Sequence, residues 1–267
     1  LEVLATARRE VRASMSDYER IAVPLESPRG QELTAWLADD ALRKLFALHD
    51  AFQPQKEGTW CGLCSLAIAL RGLAVLHPER LKESVFPSKP SELTQDFLFE
   101  KERQSRSVWA TATSGRQLQS GLSLAECENL VRRLGRVNAR RQSADELGFF
   151  SSLSSDLTAS DHQVVLVNLL RCVKGSWTGH WMVIAAGVRR VLENGEEDAW
   201  ALILDPAAHK MGPHWLPVDL LASCMITENN RGEARGYIVV ELPEQQHSST
   251  CTSSSLQNER SRVDSRV

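Results

Sequence analysis

Apolar positions divide the chain into a helical first part and a strand-rich second part. Residues 1–20 are charged and compatible with a helix. Pro24 and the stretch Ser27-Pro28-Arg29-Gly30 predict a turn. Leu33, Trp36, Leu37, Leu42, Leu45, Phe46 and Leu48 then recur at intervals near three and four, which predicts helix. Pro54 and Gly58 end that pattern in a polar loop, Gln53 to Thr59. Cys61 to Leu76 is apolar on nearly every side, the pattern of a buried helix. Residues 77–120 show no clear period, and only a turn at Pro87–Pro90 is predicted there. Leu124, Cys127, Leu130, Val131 and Leu134 form one helical stripe. Residues 143–160, rich in Ser and Asp, predict a short helix and a loop.

The texture changes at Gln163. Gln163 to Leu170, Trp181 to Ala185, Trp200 to Leu204 and Tyr237 to Glu241 are short aliphatic or β-branched runs bounded by Gly, Asn and acidic residues. That is a strand signature. Asn194-Gly195, between the second and third runs, is a hairpin signal. The expected class is α+β, with a helical N-terminal part packed on an antiparallel sheet. The expected organisation is an extension over 1–20, one folded domain over 21–243, and a polar tail over 244–267 that is too poor in aliphatics to fold.

Composition narrows the function classes. A chain of 267 residues suits one globular domain with tails. A net charge of −3 and a pI near 6.2 give no reason to expect nucleic acid or an anionic membrane as partner. No apolar run reaches the roughly 18 residues of a membrane span. Arg8, Arg9 and Arg12 precede no apolar segment, so a secretory leader is not expected, and Glu2 and Glu10 oppose a transit peptide. The cysteines at 61, 64, 127, 172, 224 and 251 are irregularly spaced. They read as reduced thiols in a cytoplasmic protein.

Cys61 follows a loop and opens the apolar helix. A helix N-terminus offers unpaired N–H groups and a partial positive charge, and both favour a thiolate. By position alone, a buried structural cysteine is the ordinary alternative. Cys64 completes a lone CxxC; with no second ligand pair to make a zinc site, it reads as a small packed residue. His180 and Asp205 gain weight together. Antiparallel strands about Asn194-Gly195 bring both to the open end of one hairpin, and directly opposed Cα atoms there lie roughly 5 Å apart. A carboxylate on one imidazole nitrogen leaves the other for a thiol. Gln55, six residues before Cys61, is a candidate oxyanion donor. His209 and His214 read as surface groups, and His49, His77 and His162 have no partner that spacing identifies. Trp215 fits a cleft wall or a core equally well.

These residues fall into a familiar set. Phe52-Gln53-Pro54-Gln55-Lys56-Glu57-Gly58-Thr59-Trp60-Cys61-Gly62-Leu63-Cys64-Ser65-Leu66 resembles the active-site segment of phytochelatin synthases. Thr178-Gly179-His180, Ala201 to Asp205, the series Lys210, Pro213, His214, Trp215 and Pro217, and Arg235-Gly236-Tyr237 resemble later motifs of that family, in order, between about Ile21 and Pro243. The resemblance implies a papain-like cysteine protease fold and a glutathione γ-glutamylcysteinyltransferase. In such an enzyme the thiolate attacks the Cys–Gly amide of glutathione. Glycine leaves, and the γ-glutamylcysteinyl thioester passes to a second glutathione or a phytochelatin, giving peptides that chelate heavy metals. Carried over, Cys61 is the nucleophile, His180 the acid/base, Asp205 its orienter and Gln55 the oxyanion donor. Asn168, Glu228 and Arg235 would bind the donor glutathione, Glu228 standing where the family has aspartate.

The same resemblance implies no tightly bound cofactor and no metal ligands on the protein. Cadmium or zinc would act as activators, carried as glutathione thiolates. Partners would be glutathione and phytochelatin peptides, and a homodimer is allowed. The departures are specific. Leu192 to Asp198 lengthens the hairpin between His180 and Asp205. Ala208 replaces an arginine, and Cys64 an alanine. Cysteine pairs of plant members are reduced to Cys127, and their Cys-rich C-terminal region has no counterpart here, so metal sensing through protein thiols is not expected. Two other readings stay open: a peptidase of glutathione or its conjugates with water as acceptor, and a non-enzymatic thiol module for metal binding or redox built on Cys61 and Cys64.

Overall fold

The computed structural model describes residues 18–80, 87, 89–106, 121–135, 137–158 and 161–243. Most of the N-terminal extension, the whole 244–267 tail and Cys251 lie outside these residues. Helix α1 (Tyr18–Ile21) is short, yet its Tyr18 is fully buried. Strand β1 (Val23–Pro24) follows.

The predicted turn at Ser27 to Gly30 is instead the start of helix α2 (Pro28–Thr34). Ser27 caps it, accepting from the Gly30 N–H at 3.1 Å, and Pro28 sits in the first turn, where its missing N–H costs nothing. The apolar pattern from Leu33 to Leu48 is broken between α2 and α3 (Asp39–Asp50). Asp39 and Asp40 lie in the first turn of α3, where the helix dipole favours acidic groups.

Helix α4 (Cys61–Leu76) matches its predicted bounds, and all its residues except Arg71, Val75 and Leu76 are buried. A 3₁₀ turn (Pro90–Glu92) and helix α5 (Gln95–Arg106) occupy part of the segment that showed no period. Phe97, Leu98 and Phe99 of α5 pack on the core, and three successive positions mark no helical stripe. Helix α6 (Leu124–Leu134) begins at a capping box in which Ser123 and Glu126 satisfy each other's backbone N–H.

Seven strands form one antiparallel sheet in the order β1-β6-β5-β4-β3-β7-β2. The others are β2 (Asn138–Ser143), β3 (Gln163–Val173), β4 (Ser176–Val191), β5 (Glu197–Leu204), β6 (His214–Pro217) and β7 (Gly236–Glu241). Helices α7 (Phe149–Leu157) and α8 (Val218–Met225) are also present. β2 escaped the pattern because it is a polar edge strand, Asn-Ala-Arg-Arg-Gln-Ser.

The sheet is covered on both faces. One face carries Val164, Leu166, Trp181, Val183 and Leu204 against α3, α4 and α6. The other carries Val165, Val167, Met182, Ile184 and Ile203 against α1, α7 and α8. Strands buried on both sides need apolar residues at successive positions, which explains the continuous runs in the sequence.

The β4–β5 hairpin turns at Leu192 to Glu196, with Gly195 at φ +81°. Its outer part is clamped to α2 and the turn that follows it: Arg29 pairs with Asp198 at 3.3 Å, and the Arg190 guanidinium lies 4.2 Å from the Trp36 ring. No helix among the described residues is long and apolar enough to cross a membrane.

Candidate active site

The end of β5 creates the site. β5 stops at Leu204, opposite Val183, whereas β4 continues back to Ser176 against β3 alone. His180 lies on that uncovered stretch, and Asp205 is the first residue past the end of β5. His180 therefore stands inside a long strand, not at its start as its sequence suggests. His180 Nε2 donates to Asp205 Oδ1 at 2.6 Å. The Ala207 N–H also donates to Oδ1, at 2.8 Å, and the Arg171 guanidinium donates to Oδ2. A fully buried carboxylate thus has partners on both oxygens. Burial pushes Asp205 up. The hydrogen bond and charge of His180, then Arg171, reverse that and hold it well below the usual carboxylate range.

With Nε2 committed to Asp205, Nδ1 is the nitrogen of His180 left free, and the ring lies near enough to Cys61 for each group to shift the other's pKa. Cys61 is the first residue of α4, and no side chain caps that terminus. Burial raises the thiol pKa. The charge and hydrogen bond of His180, with the backbone N–H groups of Trp181 and Gly62, overcome it and bring Cys61 below an ordinary thiol. Burial lowers His180, but the Cys61 thiolate and Asp205 raise it above an ordinary imidazole. The two shifts favour one state, a thiolate–imidazolium pair.

A cavity of about 120 Å³ opens on the sulfur. Asn168, Gly179, Trp181, Arg231 and Arg235 are among its lining residues. Arg235 Nη1 donates to Asn168 Oδ1 at 2.8 Å, so these two predicted residues meet. Gly179 is where the guanidinium fits: a Cβ there would stand 2.7 Å from Nη2. Glu228 is exposed and does not line the cavity; Asn229, Asn230 and Arg231 do. Arg231 ties its loop to the opposite wall through Glu126 Oε1 at 3.0 Å. Trp181 Nε1 donates to the Leu122 carbonyl at 2.8 Å and fixes that wall to β4.

Gln55 is anchored beside the site by its backbone N–H, which donates to the Pro206 carbonyl at 2.9 Å. Its side-chain Nε2 donates within its own loop, to the carbonyls of Glu57 at 3.0 Å and Gly58 at 3.3 Å. Cys64 is buried and donates its S–H to the Gln53 carbonyl at 3.1 Å. Burial pushes its thiol up to about 12.

Two polar residues were missed or misjudged. Arg171, fully buried, is the first of three residues by which β3 runs past its predicted end at Leu170; a lone cation directly after an aliphatic run is the available signal. His214, expected at the surface, is buried. Its Nδ1 donates to the Gly212 carbonyl at 2.8 Å, so Nε2 accepts from the Tyr18 hydroxyl at 3.0 Å. Trp215 is core. His77 and His162, far apart in sequence, lie against each other with ring centroids 4.4 Å apart.

The fold and site together define an α+β protein with an activated thiol, a buried imidazole–carboxylate pair and a cationic cleft. A profile of the family described as phytochelatin synthase matches residues 14–237. The chain belongs to the phytochelatin synthase family. It is 27% identical over 220 residues to glutathione gamma-glutamylcysteinyltransferase 1 of Arabidopsis thaliana, covering 77% of this chain and 39% of that protein. It is 25% identical over 225 residues to glutathione gamma-glutamylcysteinyltransferase 1 of Lotus japonicus, covering 83% and 41%. The chain spans about two fifths of the length of these curated relatives.

Proposed function

We propose that this chain is a papain-like acyltransferase that moves a γ-glutamylcysteinyl unit from glutathione to a second glutathione or a phytochelatin. The observation that carries the reading is the thiol at the uncapped start of α4, held against an imidazole whose other nitrogen is fixed by a buried carboxylate. The Cys61 thiolate attacks the carbonyl carbon of the Cys–Gly amide. Backbone N–H groups at the head of α4 face the developing oxyanion. Gln55 assists once its side chain turns from its own loop. The His180 imidazolium gives its proton to the glycine nitrogen as the C–N bond breaks, leaving a thioester and a neutral imidazole. The amino group of the acceptor then attacks the thioester, His180 takes its proton, and the thiolate is released.

Arg235, positioned by Asn168, and Arg231 give the cleft the charge to hold the carboxylates of a tripeptide. Glu228, exposed beside this loop, would contact the donor's amino group only from the rim. Cadmium or zinc enters as the glutathione thiolate, that is, as part of the substrate. Product analysis by mass spectrometry, with glutathione and cadmium, tests the reading. Oligomers of γ-glutamylcysteine capped by glycine are expected, with free glycine. Glycine and γ-glutamylcysteine alone would mean that water is the acceptor, a reading favoured by the small exposed Ala208 after Asp205. Neither product would refute both.

A CxxC redox or metal module finds little support, because Cys64 is a buried, protonated thiol with a carbonyl partner. Cys64→Ala is expected to keep glycine release within about threefold of wild type, since a free buried cysteine acts as a small apolar group. Loss of activity in a folded Cys64→Ala protein would restore the dithiol reading.

A further inference from the structure

At the other end of α4, remote from Cys61, three side chains from two parts of the chain converge. His77 is the C-cap of α4, and Asp161 and His162 immediately precede β3. His162 Nδ1 lies 3.1 Å from His77 Nε2, and Asp161 Oδ1 lies 3.7 Å from each of these nitrogens. A triangle of those sides has a circumscribed radius of about 2.0 Å, so a point near its centre is at Zn–N and Zn–O bonding distance from all three atoms. The Asp161 carbonyl oxygen is a further neighbour, 3.3 Å from His77 Nε2.

We propose that His77, Asp161 and His162 bind one divalent zinc-class cation that bolts the end of α4 to the start of β3. Two imidazoles and one carboxylate suit zinc and its borderline neighbours, whereas calcium and magnesium require mainly oxygen ligands. His77 Nε2, 3.1 Å from His162 Nδ1 and 3.3 Å from the Asp161 carbonyl, is the donor in these contacts and gives up its proton when a cation enters. Arg80 Nη1 donates to His162 Nδ1 at 3.2 Å, so that nitrogen is unprotonated in the described arrangement. Arg43 occupies Asp161 Oδ2 at 3.3 Å and leaves Oδ1 toward the rings. The side chains of His77 and Asp161 are 12% exposed and that of His162 is 52% exposed, which leaves an open side where water completes the coordination.

The cationic surroundings set the affinity. Lys44, within the field of Asp161, and Arg43 both oppose a further positive charge. Arg80 competes directly for the His162 lone pair and must swing aside when the ion enters. Binding is therefore of modest strength, and removing Arg80 should strengthen it. A merely structural stack of two histidines would show no such response. The site lies about 24 Å from Cys61 along α4, at 1.5 Å per residue, so its occupancy is separate from thiol chemistry.

The test is zinc titration of the full chain by calorimetry, with cobalt(II) as the spectroscopic probe. Wild type should take up one ion, giving weak visible bands without the intense near-ultraviolet band of cobalt–thiolate bonds. His77→Ala and His162→Ala should weaken that binding by at least about 100-fold, because each removes one of only three protein ligands. Arg80→Ala should tighten it by roughly threefold to tenfold, as expected for loss of a competing nearby charge. His162→Asn guards against misfolding, which circular dichroism checks, and zinc should raise the melting temperature of wild type but not of this variant. No saturable uptake, uptake unchanged in both histidine variants, or a cobalt–thiolate spectrum would each overturn the proposal.

Discussion

Cys61→Ser should lower glycine release from glutathione by about 10⁴-fold or more, the scale at which removal of a nucleophile disables a catalytic set. A serine hydroxyl keeps the shape, but its much higher pKa forbids the ion pair with His180. Wild type quenched in acid with glutathione should carry a γ-glutamylcysteinyl adduct by mass spectrometry, and the variant should not. The pH dependence follows from the directions of the two shifts. Cys61 lies below an ordinary thiol and His180 above an ordinary imidazole, so the thiolate persists on the acid side of a free cysteine's pKa of about 8.5. Iodoacetamide should therefore alkylate Cys61 rapidly near pH 6. A rate that climbs only above about pH 8 would show an unactivated thiol.

The second large effect is on stability. Arg171→Met is expected to destabilise the fold by about 3 kcal/mol, the lower range for breaking one half of a buried ion pair. Asp205 would keep His180 and the Ala207 N–H but lose the guanidinium on Oδ2. For a domain of this size the melting temperature should fall by roughly 6–12 °C. Activity should fall with it, because the carboxylate that holds His180 is no longer fixed from behind. The sign with pH is also set. A carboxylate held below its unfolded value contributes stability above an ordinary pKa near 4 and loses it as pH falls further. Removing Arg171 weakens that hold, so the variant should unfold less steeply with acid, from a lower plateau. Wild-type stability at neutral pH, together with an unchanged acid profile, would show that the pair contributes nothing net.

Much of the site could be read from residue order because it is built from local signals. A loop broken by Pro54 and Gly58 ahead of an apolar run fixed both the start of α4 and the place of Cys61. Asn194-Gly195 fixed the hairpin, and with it the meeting of His180 and Asp205. What stayed hidden was tertiary. Arg171 and His214 are buried by partners distant in sequence, Asp205 just past β5 and Tyr18 of α1, and no local pattern shows those meetings. Asn229, Asn230 and Arg231 line the cleft only because their loop folds back toward Gly121 and Ser123. β2 is a polar edge whose pairing with β7 supplies the order its side chains do not. The meeting of His77 with His162 depends on where α4 ends over the sheet.

The clamped outer hairpin has an evolutionary consequence. The register that matters for chemistry, Val183 opposite Leu204, is set at the hairpin's base. Val191 is eleven residues from His180, roughly 37 Å along a strand. Residues 192–198 are carried outward, where Arg29, Arg190 and Trp36 hold that end of the hairpin on a neighbouring surface. Relatives can thus gain or lose residues there without retuning the thiol, and natural variation in this loop is a poor guide to differences in reaction.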